Sequence, residues 1–234
     1  MDEATRLRKI LASLFALVIG LGYLTALANL YFAMHLADGQ PGLTPRDIVL
    51  HFHGEPEKTL LSAKIQGSMR PNLKDDGQVQ TILAWIKGGA TQDTFGPVKE
   101  ILDAQCIGCH NPAGIGSFRP LTTFAEVATT TTADTGMSWA RLAMVSHQHL
   151  FGIGLLCFVL GWLLLQTPLP AKFKIAAMLI GFVGMLLDVG GWWATKWNPS
   201  LAFLVMLGGA LNGLFFGIGV FSIWWDAFFA KRRT

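Results

Sequence analysis

The sequence predicts an all-α membrane protein in which four transmembrane helices carry a small extracytoplasmic α-helical domain inserted between helices 1 and 2. Three observations lead there. Hydrophobic residues make up 52% of the 234 and charged residues only 14%, far from the balance of a soluble domain. Four apolar runs are long enough to cross the hydrocarbon, which takes roughly 17–25 helical residues. Basic residues cluster at alternate ends of those runs, as the positive-inside rule requires.

Residues 1–9, with Arg6, Arg8 and Lys9, are expected to form a cytoplasmic N-terminus. Residues 10–35 follow as the first transmembrane helix, built on the apolar run from Ile10 to Met34. That run is too long for the apolar core of a signal peptide, and no small-x-small cleavage pattern follows it directly, so it stays as an anchor. Residues 36–140 make the outer domain and its linker. The runs Leu142 to Leu165, Ala171 to Ala194 and Leu201 to Phe228 make a three-helix transmembrane region over 141–228, and Lys231, Arg232 and Arg233 give residues 229–234 a basic cytoplasmic tail. Lys172 and Lys174, between the second and third spans, complete the cytoplasmic set. The 36–140 stretch then lies on the opposite side, in the periplasm for a bacterial inner membrane. A formal net charge of +3 is mostly topological. With no basic patch interleaved with aromatics, nucleic acid is not an expected partner.

Within the outer domain, "QVQTILAWIKGG" places Val79, Ile82, Leu83 and Ile86 at i, i+3, i+4 and i+7, with Gly88 as a stop. That is a helix with one apolar face. "PVKEILDAQC" gives a second, with Val98, Ile101 and Leu102 on one side. The Thr-rich run from Ala128 to Asp134 reads as a linker to the membrane. In "VLHFHGEP", His51 and His53 alternate as strand residues do and face opposite ways, as surface residues of a loop.

The second helix runs directly into "CIGCH". Cys157 falls inside a span, so Cys106 and Cys109 are the one pair outside the membrane. Three chemistries compete for such a pair. A zinc site needs four ligands, usually two pairs, and there is no second pair. A thioredoxin-like motif should open a helix after a strand, whereas this one closes an amphipathic helix and is followed at once by His110. Cys-x-x-Cys-His is the pattern of covalent c-type haem attachment. Cys106 and Cys109 lie about one helical turn apart, which lets both sulfurs bond one porphyrin edge, and His110 is placed to coordinate the iron. A structural disulfide or another metal site is the competing reading. One haem c is the expected cofactor.

The flanking sequence carries a resemblance. "TLLSAKIQGSMRPNLKDDGQVQTILAWIKGGA", residues 59 to 90, resembles the second half of the small cytochrome c domains of planctomycete-type and multidomain proteins, whose pattern is a leucine pair, a V-x-G, a Met followed by Pro, then a helix ending W-I-x-x-G-A. "TFGPVKEILDAQCIGCHNPAGIGSFRPLTTFAEV" is similar to the first half of the same domains. The halves stand in reversed order, so residues from about Asp47 to Val127 resemble a circularly permuted monohaem cytochrome c domain. Permutation is tolerable because domain termini often lie close together at the surface. The resemblance implies that Met69 is the distal iron ligand opposite His110. "MRP" is a departure from the common Met-Pro. Met137, downstream of the motif, is the alternative ligand.

In the spans, His35 closes the first, His147 and His149 open the second, and Asp188 sits in the third. Ionisable groups at membrane depth are functional candidates by default. Asp188 is expected to pair with His147 or His149 at similar depth, in a network that Asn29 and Asn212 can extend. His147, His149 and Asp188 form the candidate proton or quinol cluster. A second cofactor, haem b or copper, would draw on His35, His147 and His149, although two histidines two positions apart on a helix cannot face one partner. Trp139, Trp192, Trp193 and Trp197 read as an outer aromatic belt, and Trp224 and Trp225 as an inner one. Small residues in "GFVG" and "GGALNGLFFGIG" suggest close helix packing or docking.

These features point to a membrane c-type cytochrome that carries electrons at the outer face, as a subunit of a respiratory electron-transfer complex and not as a stand-alone enzyme. Expected partners are other membrane subunits, a soluble or membrane redox partner and the lipid bilayer. The alternatives are a quinol-oxidising membrane cytochrome and a haem-based gas or redox sensor.

Overall fold

The computed structural model describes residues 3–229. The basic tail Lys231, Arg232 and Arg233 lies outside the described residues. The chain divides into two compact units, one of Met1–Ala33 with Ser138–Thr234, the other of Met34–Met137.

The first unit is built from four helices long and apolar enough to span a membrane. They are α1 (Glu3–Met34), α7 (Trp139–Leu165), α8 (Ala171–Trp197) and α9 (Phe203–Phe228), the last entered through a 3-10 turn at Pro199–Ala202. Helix α1 begins at Glu3 and not at Ile10. "EATRLRK" is made largely of good helix formers, so the helix extends through the expected cytoplasmic segment. Between helices in lipid there is no hydrophobic drive, because the tails are as apolar as leucine, and backbone approach at small residues supplies the packing. Glycines do this here. A Cβ on Gly181 would stand 2.6 Å from the Phe215 ring, and one on Gly219 2.5 Å from Leu160 Cδ2. Gly184 and Gly208 let α8 and α9 touch backbone to backbone. Helix α1 meets α9 through the Lys9–Asp226 ion pair, the Trp224 indole donating to the Ser13 carbonyl, and the Tyr23–Phe216 rings. Lys174 donates to the carbonyls of Leu165 and Thr167, which the end of α7 leaves without helical partners.

The aromatic belt is partly as expected. Trp139 packs on Trp193 and Trp197, with the Lys196 ammonium over the Trp139 ring. Trp192 departs from the belt: it is 8% exposed and its indole turns inward along α8.

The second unit contains α2 (Pro45–Phe52), β1 (Glu55–Thr59), α3 (Leu60–Gln66), α4 (Asp76–Lys87), α5 (Gly96–Gln105), α6 (Phe124–Ala128) and β2 (Ala133–Asp134), with 3-10 turns at Arg70–Asn72 and Thr129–Thr131. Its core joins Leu61 and Ile65 of α3, Val79, Ile82 and Trp85 of α4, and Val98 and Leu102 of α5 to Leu73, Leu121 and Val127.

Three expectations are corrected here. The unit is not purely helical, because β1 and β2 pair antiparallel, Glu55 opposite Asp134 and Thr59 opposite Ala133. The Thr-rich run is therefore structured: Thr130 is buried and Ala133–Asp134 is a strand. His51 lies on α2 and His53 caps it, so the alternation in "VLHFH" is not a strand. A capping box fixes that helix, with Thr44 accepting from the Asp47 amide while the buried Asp47 carboxylate accepts from the amides of Thr44 and Asp38. Such a cap contributes about 1 kcal/mol, and it overrides a two-residue alternation.

Candidate functional site

Helix α5 delivers the cysteine motif. Val98 and Leu102 are buried on its inner face, and the Cys106 amide closes the last turn on the Leu102 carbonyl at 2.8 Å. One further turn follows, in which the amides of Cys109 and His110 both donate to the Cys106 carbonyl, at 3.1 and 2.9 Å. The two thiols thus sit a turn apart. Cys106 packs half-buried against the core and Cys109 is exposed, and neither is in a disulfide. Burial, and then the neighbouring Cys109 thiolate, push the Cys106 thiol above its ordinary pKa.

The loop after the motif folds back on His110. Leu121 donates its amide to the His110 carbonyl, and Gly116 lies so close under the imidazole that a Cβ there would stand 2.8 Å from Nδ1. His110 Nδ1 lies 2.9 Å from the Arg119 carbonyl. A carbonyl only accepts, so Nδ1 carries the proton and Nε2 keeps its lone pair. A ring held this way is how proteins orient a metal-ligating histidine.

Large apolar side chains surround this turn without burying themselves: Ile115 is 88% exposed and Phe118 73%. Exposed apolar surface of this kind marks a place where something else packs. Met69 is 39% exposed, and its sulfur accepts only a long contact from Asn72, at 3.7 Å. It stands in the turn after α3, between Ile65 and Leu73 in sequence, and both of those residues belong to the core against which Cys106 packs. The Arg in "MRP" has a local reason, since Arg70 binds Asp76 at 2.7 Å and the Leu73 carbonyl at 3.2 Å and so ties down this turn. Met137 lies between β2 and α7, its amide donating to the His51 carbonyl.

The donor set therefore fits a covalently held haem: two thiols one turn apart, an imidazole with Nδ1 fixed and Nε2 available, and uncovered apolar side chains beside them. Among the described residues no three His, Cys, Asp or Glu side chains gather as a metal site.

In the membrane unit the expected cluster is arranged differently from the sequence expectation. The hydrogen bond to Asp188 comes from Trp192, whose Nε1 donates to Oδ1 at 3.0 Å, and not from a histidine. The Trp192 ring then stands edge-on to the His149 ring, centroids 4.8 Å apart, and His149 is near enough to interact electrostatically with the Asp188 carboxylate. His147 turns away onto Phe151. Ser146, one residue before it, accepts from the Trp193 indole at 2.8 Å. Asn212 is buried with both amide atoms lacking a partner among the described residues. The Tyr23 hydroxyl of α1 reaches α9 at Gly213, close enough to block a Cβ there. At 1.5 Å per residue, Asp188, Asn212, His149 and Tyr23 lie about 13–17 Å from the ends of their helices, one polar group from each span at a common depth. Sequence reasoning missed Trp192 and Tyr23. The i, i+4 spacing of Asp188 and Trp192 was the available signal for the first.

A family model described as a transmembrane helical domain matches residues 127–234, which take in α7, α8 and α9. No curated protein and no solved structure matches the chain.

Proposed function

We propose that the protein is a membrane-integral c-type cytochrome that carries electrons at the outer face of a bacterial inner membrane, as a subunit of a respiratory electron-transfer complex. The observation that carries this reading is the Cys106-x-x-Cys109-His110 turn, with His110 Nδ1 held by the Arg119 carbonyl and exposed Ile115 and Phe118 beside it. Cys106 and Cys109 would hold the haem through thioethers, His110 Nε2 would ligate the iron, and Met69 would be the second ligand, with Met137 the alternative. A haem so held supplies a one-electron Fe(III)/Fe(II) couple, and a Met ligand raises its potential.

The chain's own residues do the rest. The carbonyl of Arg119 would fix the imidazole, and the α3–α4–α5 core flanks both turns, with Ile65 and Leu73 on either side of the Met69 turn and Leu102 ahead of the cysteine turn. With His110 and Met69 both given to the iron, a haem held here would offer no open position to a substrate, and the domain would serve as an electron relay. Sidedness rests on the basic residues: the positive-inside rule applied to Arg6, Arg8, Lys9, Lys172 and Lys174, with Lys231 to Arg233, supports cytoplasmic ends there and a periplasmic Met34–Met137 unit. Exposed leucines and valine along α1, among them Leu11, Val18 and Leu24, offer a long apolar face to lipid or to another membrane subunit.

The test is a potentiometric titration of the protein produced with the machinery for haem attachment. A single reversible one-electron transition is expected, together with the weak near-infrared sulfur-to-iron band in the oxidised state. Met69→Ala should remove that band and lower the potential. Loss of the band in Met137→Ala instead reassigns the ligand, and absence of any haem absorbance overturns the reading.

A further inference from the structure

Helix α7 carries a histidine built as a proton acceptor, on the outside of the bundle. His149 Nδ1 lies 2.8 Å from the Val145 carbonyl one turn back along its own helix. As at His110, a carbonyl can only accept, so Nδ1 keeps the proton and Nε2 holds a lone pair. The ring is exposed, and at about 15 Å from the start of α7 it stands well inside the hydrocarbon of a spanning helix. Behind it lie the Trp192 ring and, one hydrogen bond further, the Asp188 carboxylate. Positive charge appearing on this imidazole therefore meets a negative partner placed to stabilise it, in a medium where an unpaired ion costs at least a few kcal/mol. Leu150, the next residue along α7, adds exposed apolar surface. Gly152, three residues further along α7, is exposed with no atom within 4 Å of its Cβ position, so the helix surface beside the imidazole is open.

A base of this kind, facing lipid, serves a hydrophobic donor that arrives through the membrane and gives up a proton from oxygen. We propose that the α7–α8 surface around His149 binds a lipid-soluble hydroquinone, with His149 Nε2 accepting its hydroxyl proton and Asp188 supplying the counter-charge through Trp192. The inference rests on the electron-carrier reading for its oxidant. In each half of the reaction one O–H bond of the hydroquinone would break and an N–H bond form at His149, while a ferric c-type haem, when bound, would supply the one-electron oxidant and be left ferrous. His149 releases that proton to water before the second half repeats the step. Two electrons and two protons leave the hydroquinone, which ends as the quinone, and two haem equivalents are reduced in succession. His149 touches the substrate; Asp188 and Trp192 are positioning residues.

Two arms test this in the full-length protein in nanodiscs. The first needs no haem: an azido-naphthoquinone photoprobe is applied to the Cys106→Ala/Cys109→Ala protein, and labelling should concentrate on the α7 peptide containing His149 and fall severalfold in competition with decyl-naphthohydroquinone. Labelling spread evenly over the four spans overturns the site. The second measures haem reduction. His149→Gln should slow reduction by the decyl-hydroquinone by about 100-fold, the low end for losing a general base. Asp188→Asn should slow it less and raise the apparent KM little. Reduction by a soluble dye should be unchanged in both, and His147→Gln should behave as wild type throughout. A His149→Gln protein that keeps its hydroquinone rate within twofold overturns the proposal. Loss of dye reduction in wild type would instead strike the electron-carrier reading, while the photoprobe arm still decides the site.

Discussion

Replacing Gly208 by Ala should separate α8 from α9 and destabilise the membrane unit. A Cβ at this position would stand 2.2 Å from the Asp188 amide nitrogen, 2.6 Å from its Cα and 2.7 Å from the Gly184 carbonyl oxygen. All three are backbone atoms, so no side chain can swing aside. Restoring ordinary contact requires the helices to part by about 1 Å, because the interior is already close-packed. A gap of that size forfeits roughly a quarter to a half of each dispersion contact along the seam, and overpacking of this kind typically costs about 1–3 kcal/mol. Removing a glycine from a helix returns about 0.5–1 kcal/mol, so the net loss should be about 0.5–2 kcal/mol. Gly209 is the control. Nothing lies within 4 Å of its Cβ position, so Gly209→Ala should be neutral or slightly stabilising. Both are measured as unfolding midpoints in detergent against added SDS, followed by helical circular dichroism. Equal midpoints for the two variants would refute the backbone-contact geometry, and with it the position given to Asp188.

The Lys9–Asp226 pair is 3.2 Å long with side chains only 12% and 15% exposed, so Asp226→Asn leaves a largely desolvated ammonium without its counter-charge. It should cost about 1–3 kcal/mol, less than a fully buried pair because some solvent reaches it, whereas Lys9→Met with Asp226→Leu should recover most of the loss; the same SDS titration reads both. In the haem-free protein, the raised Cys106 pKa keeps its thiolate scarce between the ordinary thiol range and the higher folded value. Iodoacetamide should therefore modify the exposed Cys109 first, and Cys106 should catch up only as the pH rises through its folded pKa, as peptide mass spectrometry will show; equal rates near pH 8 would contradict the burial of Cys106.

The membrane architecture was legible because the bilayer writes itself into sequence: a span must be apolar over its whole length, and charges sort to its ends. Helices α4 and α5 were legible for a related reason, since one apolar face repeats at i, i+3, i+4 and i+7. Helix α2 was not. Its start is set by a three-residue cap in which the Asp47 carboxylate gathers backbone donors, and two histidines two apart imitate a strand. The β1–β2 pair was hidden as well, because "EPEKT" and the short strand at Ala133 have no apolar alternation, and their partnership depends on residues some 75 positions apart meeting in space. At the candidate site, residue types and spacing named Cys106, Cys109 and His110, and the family resemblance named Met69, but the Arg119 carbonyl behind His110 is a backbone atom and leaves no trace in composition. The same holds in the membrane: Asp188 and His149 stood out as ionisable residues, whereas the indole between them resembled any belt tryptophan until its direction was known.

The most direct measurement is the intact mass and pyridine haemochrome spectrum of the purified protein, taken beside those of Cys106→Ala/Cys109→Ala, both produced with the haem-attachment machinery. The wild type should carry the mass of one haem through denaturation and give the spectrum of a haem with both vinyl groups saturated by thioethers, and the double variant should lose both. A wild-type mass equal to that of the bare polypeptide, or haem that survives denaturation in the double variant, would contradict the assignment of Cys106, Cys109 and His110 as the attachment site.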